Sequence, residues 1–448
     1  MVTGLQSKGR ASDTTSLGGA SSWTVYHANA LGSGDSTTLK SIDTSKRFWT
    51  SPVLDGQLYG EPLVLSKDVY VATESDTVYA LSSSTGRVIW SRHLARAVPS
   101  SLLPCGNIAP LVGITGTPII DPSKDEVFVV ADELVRGSPV HKLVGLNATT
   151  GAIELSQDVD PPGSNPAALL QRTGLNLDGG RVVFGMAGNY GDCAAYRGRV
   201  VSVAETGSKP IYFTVDAHSG DSQGAIWMGG AAPVVDLHGD IWVSVGNGSV
   251  HSSGQPYDDS DSVLELSPAL HLIQYFAPTT WAQNNAKDLD MSTAPVLLSD
   301  GQVVLTGKSR IVYLLNGAHL GGIGRGEASV GSACGQDIDG GGAFVGSVIY
   351  LPCLSGTVAI RASASPPSLR IMWGSANGGG PPIVAAGLVW TIGSDGVLYG
   401  LSRVTGAVRQ HATVGAPANH FPTSSVGNGL LLVPTADRVV AFRGTPNG

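Results

Sequence analysis

Residues 69–90 read VYVATESDTVYALSSSTGRVIW and contain three short apolar runs, VYVAT, VYALS and RVIW. Apolar residues alternate with small or polar ones within each run, which is typical of a β-strand with one buried face. The runs are separated at Asp76 and at Thr85-Gly86, and aspartate and glycine tolerate the backbone conformations of tight turns. The stretch therefore predicts three consecutive antiparallel strands.

The same pattern returns seven times along the chain, and a short apolar segment precedes every copy, so each unit has four strands. The later copies are VFVV…KLVGLNATTGAIEL (127–155), RVVFG…GRVVSVAETG (181–207), DIWVSVGNG…SVLELSP (240–268), QVVLTGKSRIVYLL (302–315), VIYLPCLSGTVAIR (348–361), LVWTIGSDGVLYGLSRVTGAVR (388–409) and LLLVPTADRVVAFRG (430–444). Four-stranded units that repeat every ~40–65 residues are typical of propeller blades. We therefore predict an all-β fold, an eight-bladed β-propeller with four-stranded blades.

The last unit ends after AFRG without an outermost strand. The early segment KRFWTSPV (46–53) is strand-like, and we expect it to complete the eighth blade, so that an N-terminal strand closes the ring and removes an open edge. No linker divides the chain from residue 23 to residue 448, which predicts a single domain. Residues 1–22 are rich in Gly, Ser and Thr and are interpreted as a flexible leader.

Composition excludes several classes of protein. Among 448 residues, 42% are hydrophobic and only 14% charged, with 60 Gly and 26 Pro, which describes a turn-rich packed protein and not a disordered chain or a coiled coil. The net charge is −8 and no basic run exists, so we expect no nucleic-acid partner. No apolar stretch approaches the ~20 residues of a membrane-spanning helix, so we expect no membrane span.

The four cysteines show neither CxxC nor CxxCH spacing, and the histidines form no HxxxH pair, so we expect neither haem nor zinc. Cys334 and Cys353 are expected on the inner and second strands of one unit, and Cys105 and Cys193 on loops of neighbouring units. We therefore predict the disulfides Cys105–Cys193 and Cys334–Cys353. Two disulfides place the protein in an oxidising compartment, either secreted or in the cell envelope.

The unit built on Ala80-Leu81, Thr85-Gly86 and Trp90 resembles the repeat of the pyrroloquinoline quinone (PQQ) dehydrogenases and of the wider quinoprotein-like propellers. The resemblance covers nearly the whole chain after about Arg47. It implies the propeller fold and an axial site for PQQ. The same type of propeller also serves as a cofactor-free binding scaffold in outer-membrane assembly lipoproteins.

The resemblance implies four cofactor-binding residues. The segment GAIWMGGAAPVVD resembles the family segment whose tryptophan underlies the quinone, which gives Trp227. Glu61 in YGEPLV matches a glutamate that hydrogen-bonds the quinone, and Lys308 in TGKSR matches a basic residue beside the quinone carbonyls. Arg172 in LLQRTGL matches an arginine of the third blade. The alternatives are a core tryptophan for Trp227, an exposed loop carboxylate for Glu61 and a surface arginine for Arg172.

The resemblance also implies a Ca²⁺ or lanthanide site, for which oxygen ligands are required. VSVGNGS matches the asparagine segment and gives Asn247, while DLDM matches the aspartate segment and gives Asp288 and Asp290. Asp192 in NYGDC stands where the family has a glutamate, and a turn-forming role is the alternative for Asp192 and Asn247. In a strand, both carboxylates of Asp288-Leu289-Asp290 would point to one face. One of these two aspartates is implied as the catalytic base.

Departures from the family leave two functions open. The adjacent Cys-Cys pair of the dehydrogenases is missing, and without a haem motif any electrons must pass to a separate acceptor. The first hypothesis is a PQQ-dependent oxidoreductase that acts on a small alcohol or sugar. The alternative is a non-catalytic propeller that binds a protein or a glycan.

Overall fold

A computed structural model describes residues 22–216 and 222–447, so nearly all of the expected leader, residues 1–21, lies outside the described residues. Eight small antiparallel sheets form a ring, which confirms the predicted eight-bladed β-propeller. Inner strands of neighbouring blades contact one another around the axis. The second and third strands of most blades are almost fully buried, whereas the outermost strands are largely exposed, so the apolar core lies between the faces of adjacent blades.

The blades follow one another in chain order. From the inner to the outer strand, the first four blades are Leu63–Leu65, Asp68–Thr73, Thr77–Ser82 and Val88–His93 (blade 1); Ile119–Asp121, Glu126–Val135, Ser138–Asn147 and Ile153–Asp158 (blade 2); Asn176–Asp178, Arg181–Gly188, Arg199–Ala204 and Ile211–Thr214 (blade 3); and Val234–Val235, Ile241–Val245, Ser262–Leu266 and Leu272–Ala277 (blade 4). Leu169–Leu170 adds to blade 3 and Gly322–Ile323 to blade 4.

Blades 5 to 8 have the same order. Their strands are Val296–Leu297, Gln302–Thr306, Ile311–Asn316 and Glu327–Ser332 (blade 5); Ala343–Val345, Val348–Cys353, Gly356–Ala364 and Pro367–Ser375 (blade 6); Ile383–Ala385, Leu388–Ile392, Val397–Ser402 and Val408–Thr413 (blade 7); and Ser425–Gly427, Leu430–Pro434, Val439–Pro446 and Leu39–Asp43 (blade 8). The helical elements are Tyr26–Ala28, Ser100–Leu102, Pro166–Ala168, Met228–Gly230 and Trp281–Asn285, and a separate two-stranded pair is Val98–Pro99 with Leu111–Val112.

The Thr-Gly corner of one blade receives the closing side chain of the preceding blade. Trp90 lies on the outer strand of blade 1, and its Nε1 donates to the carbonyl of Ala148 at 2.9 Å in blade 2. A Cβ on Gly151 would lie 2.6 Å from the Trp90 ring, so the indole packs directly on this glycine. The same contact joins Trp49 to Gly86 and Trp373 to Gly406, and Leu155 takes the place of tryptophan on Gly207. This docking explains why the repeat pairs an apolar closing residue with a glycine.

The ring closes through the N-terminal part of the chain, but the prediction that 46–53 supplies the closing strand was only partly right. Leu39–Asp43 forms the longer ladder with Val439–Pro446, and Trp49–Thr50 pairs farther along the same strand. Leu39–Asp43 was missed because only two of its five residues are buried, so its sequence carries little apolar alternation.

Residues 23–36, which we call the inner segment, run inside the ring and touch the blades in order. Trp23 pairs with Val64 of blade 1 through two backbone hydrogen bonds, and the carbonyl of Thr24 accepts from Ile120 of blade 2. The further contacts are Ala30 with Asn176 and Val235, Leu31 with the apolar cluster of blades 4 and 5, Ser33 with Phe344, and Asp35–Ser36 with the inner strand of blade 7. The inner segment therefore fills the axis of the propeller.

Both predicted disulfides, Cys105–Cys193 and Cys334–Cys353, are confirmed. One placement was wrong, because Cys334 follows the outer strand of blade 5 in the connection to blade 6 and does not lie on an inner strand. Two disulfides fit an oxidising compartment. Within the described ranges, no helix is long and apolar enough to cross a membrane.

Candidate functional site

The candidate residues lie on connections at one end of the propeller, where the second strand of each blade finishes and the inner strand begins. We call this end the funnel face. Asp192, Asn247 and Lys308 follow the second strands of blades 3, 4 and 5. The others precede inner strands: Glu61 in blade 1, Arg172 in blade 3, Trp227 in blade 4, and Asp288 and Asp290 in blade 5.

Four of these residues form one hydrogen-bonded group, which we call the lysine–aspartate cluster: Asn247, Asp288, Asp290 and Lys308. Lys308 Nζ lies 2.9 Å from Asp288 Oδ1 and also pairs with Asp290. The backbone N–H of Asn247 donates to Asp290 Oδ1 at 2.6 Å, and its side-chain Nδ2 donates to Asp288 Oδ1 at 2.8 Å. The cluster joins blades 4 and 5 across their interface.

Two glycines allow Asp290 to enter between the blades. A Cβ on Gly246 would lie 2.5 Å from Asp290 Oδ1, and one on Gly307 would collide with the Asp290 backbone. Both glycines directly follow the second strand of their blade, so the backbone can approach Asp290 closely. The motifs VGN and TGK therefore combine a residue of the cluster with the glycine that makes room for Asp290.

The two aspartates meet for a different reason than expected. Residues 288–290 do not form a strand, and Asp288 has φ +55°, in the left-handed region. Residues 288–290 follow the helix Trp281–Asn285, which ends in a turn. This turn, and not the geometry of a strand, brings both carboxylates to Lys308. Asp288 is exposed, with 72% of its side chain accessible, whereas Asp290 is buried. The cluster therefore has one accessible and one buried carboxylate.

Trp227 lies beside the cluster. Its Nε1 donates to the carbonyl of Gly188 at 3.1 Å, and the half-buried indole packs against the apolar core of blades 2 and 3. Lys308 Nζ lies 5.7 Å from the centroid of the Trp227 ring, within the range of a cation–π contact. One face of the ring is thus turned towards the charged groups of the cluster.

Asp192 approaches the cluster from blade 3. It has φ +47° and accepts a hydrogen bond of 2.7 Å from the hydroxyl of Tyr196. Burial raises the pKa of the Asp192 carboxyl, Tyr196 lowers it, and the charges of Asp290 and Asp288 raise it further. The following residue, Cys193, is tied to Cys105, so the disulfide anchors this turn to the connection between blades 1 and 2.

Burial governs the electrostatics of the cluster. It raises the pKa of the Asp290 carboxyl above its usual range, although Lys308 and the N–H of Asn247 lower it. Burial alone would lower the pKa of Lys308, but Asp290 and Asp288 outweigh it and raise that pKa. Lys308 therefore stays charged, and Asp290 is a carboxylate held by two donors in a buried position.

Glu61 and Arg172 lie apart from the cluster. Glu61 is buried and accepts a hydrogen bond of 2.9 Å from the backbone N–H of His27 in the inner segment. Arg172 is also buried, between the rings of Tyr59 and Phe421, at 5.5 and 5.4 Å from their centroids. Neither the exposed carboxylate nor the surface arginine considered as alternatives is found.

Only part of the donor set is free to bind a metal ion. Asn247 Oδ1 is buried and accepts no hydrogen bond, so this oxygen is free for a cation. Both oxygens of Asp290 and Oδ1 of Asp288 are already paired with Asn247 or Lys308. In the described residues, three acidic ligand atoms within 4.8 Å of one another occur at Asp236, Asp240 and Glu265. That group lies at the other end of the second strand of blade 4, and the carboxylates of Asp236 and Glu265 already accept hydrogen bonds from the protein.

The cluster is open to solvent at Asp288. Two cavities elsewhere in the described residues have about 10 Å³ each, room for one water molecule. One lies between the inner segment and blades 3 to 5, and the other lies beside Cys105; neither is lined by Trp227 or Lys308. A ligand would approach Trp227 from the solvent side of the funnel face.

Sequence reasoning missed three residues around the cluster. Tyr196 holds Asp192, Asp261 is fully buried near Asp290, and Asp339 is close enough to Lys308 and Asp290 for their charges to affect its pKa. Burial raises the pKa of Asp339 to about 6. The acid-rich run YDDSDS (257–262) was the one sequence signal that could have pointed to Asp261.

Comparison with known proteins agrees with this architecture. The PQQ_2 family model, described as outer membrane protein assembly factor BamB, matches residues 9–209. The match covers less than half of the chain. Quinohemoprotein alcohol dehydrogenase from Comamonas testosteroni superposes on this propeller with a TM-score of 0.71 and 14% identity, over 95% of this chain and 82% of that one.

Two further solved structures share the fold of this propeller. A europium-containing methanol dehydrogenase gives a TM-score of 0.69 with 13% identity, over 95% of this chain and 98% of that one. BamB from Moraxella catarrhalis gives 0.55 with 16% identity, over 90% of this chain and 97% of that one. No curated protein sequence matches significantly. At these identities the similarity establishes the fold, and fold alone does not assign a function.

Proposed function

We propose that the protein is an exported PQQ-like propeller that binds PQQ on Trp227 and oxidises a small alcohol or sugar with the help of Ca²⁺ or a lanthanide. The observation that supports it best is the position of Lys308. Its ammonium group is held between Asp288 and Asp290 and faces the Trp227 ring at 5.7 Å. A planar anionic ligand requires an aromatic platform and a fixed cation. A proton transfer requires a carboxylate that can accept the proton.

Each residue has a role in this proposal. Trp227 would support the ring system, Lys308 would pair with its polar edge, and Arg172 would supply a second positive charge near the axis. When bound, PQQ supplies the two-electron acceptor and the metal ion polarises its oxygens. The free oxygen of Asn247, together with Asp192, Asp288 and Asp290, would hold the metal. We leave Glu61 out of the site, because its carboxylate is held by the inner segment.

Asp290 is the residue that we assign to proton transfer. It accepts from Asn247 N and pairs with Lys308, so its orientation is fixed before any substrate arrives. Its raised pKa brings it closer to neutral pH, which suits a general base. Asp288 is exposed and therefore lies nearer to an incoming alcohol than Asp290 does. Electrons would leave to a separate acceptor.

The proposal is tested by adding PQQ with CaCl2 or LaCl3. Equilibrium dialysis and the visible absorbance of PQQ measure binding, and dye-linked oxidation of a panel of alcohols and sugars measures activity. Trp227→Ala should abolish uptake, and Trp227→Phe should retain part of it because a smaller aromatic platform remains. Asp290→Asn should retain PQQ uptake but lose dye reduction. Binding that Trp227→Ala leaves unchanged would contradict the assignment of the platform.

A second candidate is a non-catalytic propeller that binds a protein or a glycan in the envelope. The open form of the site favours it, because Asp288 is exposed and neither of the two cavities reaches Trp227. BamB, which shares the fold, is described as an assembly factor. Absence of PQQ uptake and of dye reduction with every metal would leave this candidate and rule out the first.

A further inference from the structure

The interface between blades 1 and 2 buries three carboxyl groups on the funnel face, and we call them the acid cluster: Glu74, Asp76 and Asp132. Each of the three residues is at most 2% exposed. Five of their six carboxyl oxygens accept no hydrogen bond from the described residues. The sixth, Glu74 Oε2, accepts from Gly113 N at 2.8 Å and from Thr115 Oγ1 at 3.1 Å.

The chain is arranged so that these groups meet. Glu74 and Asp76 lie in the turn between the second and third strands of blade 1, and Asp76 has φ +54°. The connection to blade 2 passes directly over this turn, since a Cβ on Gly113 would lie 2.8 Å from Asp76 Oδ1. The backbone N–H of Asp132 donates to the carbonyl of Gly113 at 3.3 Å. Gly113 is therefore one contact point between the two blades, on the funnel face.

A histidine completes the arrangement on the side of blade 2. His141 is directly opposite Asp132 in the strand ladder, and its Nε2 lies 3.8 Å from Asp132 Oδ2. Its Nδ1 lies 2.8 Å from Asp160 Oδ1, and its backbone N–H donates to the other oxygen of Asp160. His141 is fully buried, so its charge depends on these two carboxylates.

Other charged groups face the acid cluster from the packed elements, and most of them are acidic. They are Asp55 and Glu133 facing Asp76, Asp160 facing Asp132, and Arg172 facing Glu74. Lys142 is engaged by Glu133 at 3.0 Å. Within the described ranges, no lysine or arginine lies within salt-bridge distance of Asp76 or Asp132.

Burying an ionised carboxylate without a donor is costly, so the protonated form is favoured here. Burial raises the pKa of Glu74 and of Asp132 to about 7, and that of Asp76 rises well above its usual value. Burial lowers the pKa of His141, but Asp132 and Asp160 outweigh it and raise that pKa to about 8. Raised values mean that the folded state binds more protons than the unfolded chain, so stability falls as pH rises from about 4 to about 7 to 8, where the last of these groups lose their protons.

We propose that the contact between blades 1 and 2 is a proton-dependent lock, closed while the acid cluster and His141 hold their protons and loosened when they lose them. A protonated carboxyl group carries no charge, so it can stay buried without a compensating cation. After deprotonation the same oxygens repel one another across Gly113. The lock would therefore change the mobility of the funnel face near Arg172 as pH passes through neutrality.

Hydrogen exchange of the full chain at pH 5.5 and pH 8.5, corrected for the intrinsic effect of pH on exchange, tests the proposal. We expect residues 73–77, 113–117 and 131–142 to lose at least tenfold in protection at pH 8.5, because a single carboxyl group with a pKa of about 7, such as Glu74, accounts for that much between the two pH values. The other blades should change less. Equal protection of these segments at the two pH values would overturn the proposal.

Variants separate the acid cluster from other titrating groups. Asp132→Asn and Asp76→Asn imitate the protonated state and should keep the segments protected at pH 8.5. Asp395→Asn is the matched control, because Asp395 lies in the corresponding turn of blade 7 but is exposed. It should leave the pH response as in the parent protein.

Two results would count against the lock. An unchanged pH response in Asp132→Asn would mean that the acid cluster does not cause it. Recovery of protection at pH 8.5 on addition of CaCl2 would show that the acid cluster binds a metal ion, and that a metal ion and not a proton holds the two blades together. If Asp76→Asn fails to fold, Asp132→Asn and the parent protein still decide the question.

Discussion

The contact between Trp49 and Gly86 closes the ring, and Gly86→Ala tests it. Gly86 has φ +70°, and an added Cβ would lie 2.5 Å from Trp49 Cε3. Gly429 is a matched control, because its φ is +77° and no heavy atom lies within 4 Å of the added Cβ. Both substitutions impose a left-handed alanine, but Gly86→Ala alone also pushes an indole out of its position.

The two costs can be estimated separately. A left-handed alanine costs about 1–2 kcal/mol, partly offset by about 0.4–1 kcal/mol from the stiffer unfolded chain. Crowding a packed indole costs about 1–3 kcal/mol more. Gly429→Ala should therefore lower the free energy of unfolding by about 1 kcal/mol or less, and Gly86→Ala by about 2–4 kcal/mol.

Urea unfolding followed by far-UV circular dichroism measures both variants. A double-mutant cycle with Trp49→Ala isolates the contact, because Gly86→Ala should cost no more than Gly429→Ala once the indole is absent. Equal destabilisation by Gly86→Ala and Gly429→Ala in the parent protein would refute the docking of Trp49 on Gly86.

Three further changes have defined outcomes. Deleting residues 1–53 removes both strands that close blade 8 and should lower the melting temperature of the whole propeller. Deleting residues 1–21 should leave the melting temperature unchanged. Equal melting temperatures of the two truncated proteins would contradict closure of the ring by the N-terminal strands. Replacing both cysteines of Cys105–Cys193 by serine opens a loop of 88 residues and should lower the free energy of unfolding by about 4.6 kcal/mol. The same change at Cys334–Cys353 opens a loop of 19 residues and should lower it by about 3.2 kcal/mol. Chemical denaturation of the two double-serine variants measures both values. Gly307→Ala should displace Asp290 and slow dye reduction at least tenfold while PQQ uptake in dialysis is retained, and an unchanged rate of dye reduction would exclude Asp290 from proton transfer.

Local patterns in the sequence were sufficient to predict the blades. Each blade repeats apolar alternation and a Thr-Gly corner, and both features act over a few residues, so they are visible without the structure. Trp49 was not recognised as a closing residue, because it precedes the first blade in the sequence although it closes the eighth. The glycine on which it packs, Gly86, lies in the first blade. The inner segment was missed altogether, since single hydrogen bonds to successive blades impose no periodicity on residues 23–36.

The candidate site was predictable only in part. Asp288, Asp290, Asn247 and Lys308 were singled out by resemblance to family motifs, and the structure brings their side chains into contact. The acid cluster was not noticed, because Glu74, Asp76 and Asp132 are ordinary turn and strand residues in the sequence. Their chemistry arises from burial between two blades, which depends on the packing of Gly113 and not on any motif.

The inner segment also constrains the order in which the chain can assemble. It precedes all eight blades in the chain and reaches blade 7 through Asp35–Ser36, and the next strand, Leu39–Asp43, pairs with blade 8. Asn447 also donates to the carbonyl of Thr37, 410 residues earlier. Blades can form one after another, but the inner segment cannot complete its contacts until blade 7 exists, and the ring cannot close until blade 8 exists. Until then the unfinished propeller keeps an open edge and an unfilled axis. The nascent protein therefore remains vulnerable to aggregation and to proteases until blade 8 has formed.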